Sequence, residues 1–220
     1  MFERAALARI LPFGAYMLFI FIADMLARAG VPDSVLLWLY PLKIAVVALL
    51  LWVFWSHYEE LRAPRLRWPD AVLALVAGVV VLLLWLWLDS GWMVMGQPGG
   101  YEPRVNGQLS WTLVAIRLAG ASLVVPLMEE LFWRSFLMRW ITTPAFQGLS
   151  PHAINYKSFI VTVILFGVEH NLWLAGMVAG LAYGLLYART GKLWVAILAH
   201  AVTNGLLGVW IIATASWTYW

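Results

Sequence analysis

Positions 71–88 consist only of Ala, Val, Leu, Gly and Trp, without one charged or hydrogen-bonding aliphatic side chain. Apolar runs of similar character recur at 10–27, 35–55, 111–140, 158–170, 172–187 and 193–213. A helix needs about 20 mainly apolar residues to cross the hydrocarbon of a bilayer. Within lipid each backbone N–H and C=O must find its partner inside the protein, which leaves helices as the natural use of such runs. The composition agrees, with 64% hydrophobic and 11% charged residues, whereas soluble domains carry about a quarter charged residues. A soluble fold of this size would leave apolar patches exposed to water. The expected fold class is therefore all-α, a polytopic transmembrane helix bundle. The runs give seven spans, or eight if the long run 111–140 breaks at Pro126, which cannot donate a helical hydrogen bond.

The charge pattern favours seven. With the N-terminus in the cytoplasm, Arg4, Arg9, Arg62, Arg65, Arg67, Arg134, Arg139, Lys157, Arg189 and Lys192 fall on the cytoplasmic side, against Arg28 and Arg104 on the other. That is a strong positive-inside bias, and an eighth span would break the alternation. The expected location is a bacterial inner membrane, multi-pass, with the lipid bilayer as partner and no cleavable signal peptide. The net charge of +3 reflects topology, and no nucleic-acid partner is expected. Cysteine is absent, which excludes disulfides, a thiolate nucleophile and Cys-based metal sites. Residues 1–110 read as scaffold spans ending in a Gly- and Pro-rich external loop, 89–110. Residues 111–220 read as the functional half of one integrated membrane domain. The tryptophans Trp85, Trp87, Trp111, Trp133, Trp140 and Trp173 read as lipid-facing packing.

Ionisable residues inside spans are costly and by default mark function or pairing. Here they concentrate in the second half. Glu130 and Arg134 are four apart, acid first, the better order for a helical ion pair, and are expected to neutralise each other. Glu129 is rotated about 100° from Glu130, points elsewhere, and is the free carboxylate. Phe166 and His170 are four apart, as are His200 and Asn204, so each pair shares a helix face. Asp24 and Lys43 read as residues near span ends or paired, and His57 and His152 as solvated loop residues. Glu169 is open between the interface and the site.

A carboxylate, two imidazoles and an amide on three helices can activate water and stabilise an oxyanion. Alternatively, Glu129, His170 and His200 could hold a divalent metal such as zinc with one position left for water. Taken singly, each His or the Asn serves equally well as a hydrogen-bonded packing group. Their coincidence on three helices raises the site reading above that. Hydrolysis in the membrane requires a water-filled cavity, expected to open toward the cytoplasmic leaflet. A non-catalytic scaffold or immunity protein, and a transporter, are the competing readings. The transporter lacks support from any repeated half.

The motifs Glu129-Glu130-x-x-x-Arg134, Phe166-x-x-x-His170 and His200-x-x-x-Asn204, in that order on separate apolar segments, resemble the CAAX protease and bacteriocin-processing (CPBP, or ABI) family of intramembrane proteases. The resemblance covers about 122–208. The stretch 166–176 also looks like the family branch associated with bacterial exosortase systems. The resemblance implies that Glu129 activates the attacking water, His170 positions it, and His200 and Asn204 stabilise the oxyanion. Glu130, Arg134 and Phe166 would support the site. It further implies a membrane-anchored protein or peptide substrate and a glutamate-dependent mechanism with no obligatory metal.

Overall fold

The computed structural model describes residues 3–62, 66–96 and 99–220. Arg65 and Pro98, invoked above for charge bias and loop composition, lie outside these residues. Seven helices are present among the described residues: α1 Arg4–Arg28, α2 Asp33–Val53, α3 Trp68–Trp87, α4 Trp111–Thr142, α5 Tyr156–Val168, α6 Trp173–Thr190 and α7 Leu193–Thr214. Five of them, α1, α2, α3, α4 and α7, are long and apolar enough to cross a membrane. The shorter α5 and the Gly- and Ala-rich α6 complete an all-α membrane bundle. The outer faces remain apolar where a soluble protein would be polar: Trp52, Leu83, Leu123, Phe21 and Val76 are all more than half exposed. The only strands among the described residues form a small hairpin in the 89–110 loop, with β1 Arg104–Val105 antiparallel to β2 Gln108–Leu109. Its turn, Asn106-Gly107, has positive φ at both positions, the backbone that suits the twist of paired strands.

Pro126 does not break α4. Around it the helix widens into a π segment at Gly120–Val124, and a second π segment runs Leu131–Leu137. In the first, Val125 N–H donates to Gly120 C=O. The next donor in that wider register would be residue 126, a proline without an N–H. The carbonyl it would have satisfied, Ala121 C=O, instead accepts Asn204 Nδ2 at 2.9 Å from α7. The eight-span alternative is thus not adopted, because a tertiary partner replaces the missing bond.

Helix contacts are close where glycine removes the side chain. A Cβ on Gly78 of α3 would fall 2.6 Å from Ala199 C=O of α7, and one on Gly167 of α5 would fall 2.8 Å from Trp173 C=O of α6. Backbone cannot yield as a side-chain tip can. Gly167→Ala is therefore expected to destabilise the protein by about 1–3 kcal/mol, visible as a lower apparent melting temperature in detergent. An unchanged melting temperature would contradict this packing.

The loops sort into two faces by their contacts. On one face, Arg9 of α1 forms an ion pair with Glu60 at 2.6 Å, Ser135 donates to Glu60, Lys192 pairs with Asp70, and Trp194 Nε1 donates to Leu61 C=O at 2.8 Å. Arg139 donates to Gln147 and Leu149 carbonyls at 2.7 and 2.8 Å, and His152 Nδ1 donates to Ala188 C=O at 2.8 Å, fastening the end of α6. This is the basic face, and side chains close it. On the other face, Tyr219 donates to Asp89, Asn171 Nδ2 donates to Met95 C=O at 3.0 Å, and Trp173 Nε1 to Trp92 C=O at 2.9 Å. The 89–110 loop is held across that face. Arg134 does not lie in a basic loop but is buried inside α4.

Candidate active site

The depth of the site follows from helix length. α5 starts at the basic face and has 13 residues, about 20 Å of rise, against a hydrocarbon core of about 30 Å. It is too short to cross that thickness, so the turn 169–172 lies within the bundle, beneath the 89–110 loop that Asn171 and Trp173 contact. There a cavity of about 180 Å³ is lined by Glu129 of α4, His170, and His200 and Asn204 of α7. At about 30 Å³ per water it has room for several waters. All four candidate catalytic residues face this one space, and Phe166 lines it too.

Glu130 and Arg134 stand behind it. Both are almost completely buried, and Arg134 Nη1 lies 3.1 Å from Glu130 Oε1. The guanidinium also lies over the Phe166 ring, 4.4 Å from its centroid, and Nη2 donates to Gly180 C=O of α6 at 3.3 Å. The same Glu130 Oε1 accepts from His200 Nδ1 at 3.0 Å. Glu130 therefore orients an imidazole as well as neutralising Arg134, a link that spacing along one helix could not reveal.

Both imidazoles are fixed the same way. His170 Nδ1 lies 2.7 Å from Phe166 C=O. A carbonyl only accepts, so Nδ1 carries the proton and Nε2 is left with a lone pair. His200 Nδ1 donates to a carboxylate, with the same consequence in its neutral form. Tyr183 stacks on His200 with ring centroids 4.8 Å apart, and its hydroxyl donates to Thr203 Oγ1 at 2.8 Å. In turn Thr203 donates to Gly78 C=O at 2.9 Å, so α3, α6 and α7 jointly hold the ring. Trp85 of α3 meets His170 edge-on at 5.3 Å.

Glu129 differs from its neighbour Glu130, which pairs with Arg134 and His200. It is 4% exposed, makes no ion pair among the described residues, and its Oε2 is buried without a hydrogen-bond partner. Buried carboxylate oxygens are normally satisfied. An unpartnered carboxylate facing a cavity is free to accept a hydrogen bond from a molecule within it. Glu169 lies next to this region and accepts Trp133 Nε1 at 3.1 Å.

Histidines whose Nδ1–H is held by a carbonyl or carboxylate present Nε2 as metal ligands do. Nevertheless, among the described residues no three His, Asp or Glu side chains converge closely enough to hold a metal ion. Glu129, His170 and His200 do not fit one as placed, and the chemistry is derived from the protein's own groups.

Three expectations need correction. Trp133 is buried against Glu169 and Trp85 walls the cavity, so neither faces lipid; their indole edges and faces serve polar neighbours. Lys43 is buried with no carboxylate partner among the described residues, while Asp24 pairs with Arg28 at 2.8 Å. The ion-paired residues of the basic face do not line the cavity, contrary to an opening on that side. The cavity adjoins a vestibule of about 890 Å³ toward the face of the 89–110 loop, sharing Tyr16, Tyr40, Trp85, Arg117 and His170 as walls. The short α5 leaves that space. The N-terminal helices thus supply much of the wall. Tyr16, Tyr40 and Arg117 carry no motif spacing that marks them, although Arg117, an ionisable residue within a span, carries the general signal.

A family model described as type II CAAX prenyl endopeptidase Rce1-like matches residues 110–206, a little under half of the chain and including all of the residues named as catalytic. No curated protein and no solved structure matches the chain.

Proposed function

We propose that this chain, whose residues 110–206 match the type II CAAX prenyl endopeptidase Rce1-like family model, is a member of that family and hydrolyses a peptide bond of a membrane-associated substrate with water activated by Glu129. The observation that carries the reading is the unpartnered buried carboxylate of Glu129 facing the cavity it shares with His170, His200 and Asn204. In the proposed step Glu129 accepts a proton from water while the water oxygen bonds to the scissile carbonyl carbon. His170 Nε2, an acceptor, takes the second water O–H as a hydrogen bond and aims the lone pair. Asn204 Nδ2 has two N–H groups. One is committed to Ala121 C=O, and the other donates to the oxyanion. His200 can donate from Nε2 only as imidazolium, a form that the carboxylate of Glu130 beside it supports. Collapse of the intermediate breaks the C–N bond, and the proton held by Glu129 passes to the departing amine.

The charge bias supports a multi-pass protein of the cell membrane with a cytoplasmic N-terminus. The vestibule then faces the external side, and a membrane-anchored substrate enters from there. The stretch 166–176 supports the exosortase-associated branch, to which the prenylated substrate class is not carried over.

The test is cleavage of quenched-fluorescent, lipid-anchored peptides by the purified protein in lipid nanodiscs, with and without a chelator. Cleavage insensitive to chelator is the expected result. Cleavage abolished by chelator and restored by zinc overturns the glutamate-only mechanism. Asn204→Ala should lower kcat by about 10²–10³-fold, the usual cost of one oxyanion donor.

A further inference from the structure

Six acidic, basic or imidazole side chains line the vestibule, and their pairing is uneven. Asp24 is taken by Arg28, Asp89 accepts the Tyr219 hydroxyl, and Glu169 accepts Trp133. His170 is held by Phe166 C=O. The two cations, Lys43 and Arg117, form no ion pair with any described residue.

We propose that Lys43 and Arg117 form an anion subsite in the vestibule wall that takes a carboxylate of the substrate. This rests on the peptidase reading of the adjoining cavity. Lys43 is only 9% exposed, and its Nζ lies 4.0 Å from the Tyr16 ring centroid and 5.0 Å from that of Tyr40. Arg117 Cζ lies 4.1 Å from the same Tyr40 ring and 5.3 Å from Tyr101. The two cations therefore contact one ring and cannot be further apart than those two distances laid end to end. Arg117 Nε is buried with no hydrogen-bond partner. Ring faces return only part of the cost of taking a cation out of water, and two neighbouring like charges add to it. An anion bound from the vestibule within reach of both relieves that cost.

The Tyr40 hydroxyl donates to Arg117 C=O at 3.3 Å and the Tyr101 hydroxyl to Leu37 C=O at 3.1 Å. Those bonds fix the ring faces toward the charges, so the cradle is built before the anion arrives. Arg117 also walls the catalytic cavity beside Glu129. An anion held there belongs to a molecule reaching the reaction centre, which favours the peptide over a bilayer lipid. The carboxylate can be a chain terminus or an acidic side chain.

Binding, rather than cleavage, separates this subsite from the catalytic reading. The probe is a dansyl-labelled apolar hexapeptide with a free C-terminal carboxylate, titrated against the full-length Glu129→Gln protein in phosphatidylcholine nanodiscs. Saturable binding is expected, weakened at least about tenfold by Lys43→Gln, by Arg117→Gln and by amidation of the peptide. The amidated peptide should bind the variants and their parent equally, and Lys43→Arg should restore binding of the free acid. An amidated peptide regaining affinity through a glutamate side chain assigns the carboxylate to a side chain instead of the terminus. Equal affinity for acid and amide, full binding by both variants, or no saturable binding overturns the proposal. So does competition by phosphatidylglycerol that is lost in the variants, which would assign the cations to lipid.

Discussion

Glu129→Gln is expected to lower kcat for peptide hydrolysis by about 10²–10⁴-fold, the range that general base catalysis supplies, and to leave the fold intact or more stable. Both halves come from one observation. Glu129 has no ion pair and its Oε2 no hydrogen-bond partner, so an amide of the same shape removes a buried charge without orphaning a partner. A catalytic residue that costs stability is a common trade, and here it has a specific reading: activity falls while the apparent melting temperature holds or rises. Glu129→Asp keeps the charge but retracts it by one methylene. A misplacement of about 1 Å can cost about 10²-fold, so Asp should rescue little of the rate. Single-turnover cleavage and thermal unfolding of the same preparations decide the matter. A Gln variant that cleaves like the wild type removes Glu129 from the mechanism. One that loses both activity and stability makes it a structural residue.

The parts of this molecule legible in sequence are those that lipid makes expensive to hide. Seven apolar runs predict seven helices because a bilayer fixes both their length and their apolar character, and α3 follows its run at 71–88 within a few residues. The motif residues stand out because Glu129, His170 and His200 are polar groups in apolar runs. What spacing cannot supply is pairing between helices. The pair Glu130–Arg134 is visible at four residues apart, while the bond from His200 to the same Glu130 oxygen spans 70 residues. Likewise Pro126 signals an interruption, but whether α4 breaks or widens depends on Asn204 reaching Ala121 C=O from α7. Aromatic residues in spans are the least legible. A Trp facing lipid, such as Trp87, and a Trp walling a cavity, such as Trp85, occupy the same kind of run. The direction of the opening is hidden for a related reason. It depends on the short α5 and on ion pairs closing the opposite face, features of the assembled bundle.

Arg134→Met is expected to produce the opposite signature to Glu129→Gln. The substitution fills much of the volume but leaves Glu130 buried, charged and without its cation. Breaking a buried pair from one side costs about 3–5 kcal/mol, because the remaining charge is uncompensated. The apparent melting temperature should fall sharply, and activity with it, since Glu130 also orients His200. The double variant Glu130→Gln/Arg134→Met separates the two contributions. Gln keeps an oxygen that can accept from His200 Nδ1 while removing the charge that Arg134 had balanced. Replacing both members of a buried pair is often close to neutral, so the double variant should recover most of the lost stability. Its activity should stay below wild type, because the amide no longer favours the imidazolium that His200 must become to donate from Nε2. A double variant as unstable as Arg134→Met would show that Arg134 acts mainly through Phe166 and Gly180 rather than through Glu130. Full activity in a stable double variant would show that His200 works without a charged partner, leaving Asn204 as the sole oxyanion donor among the four cavity residues.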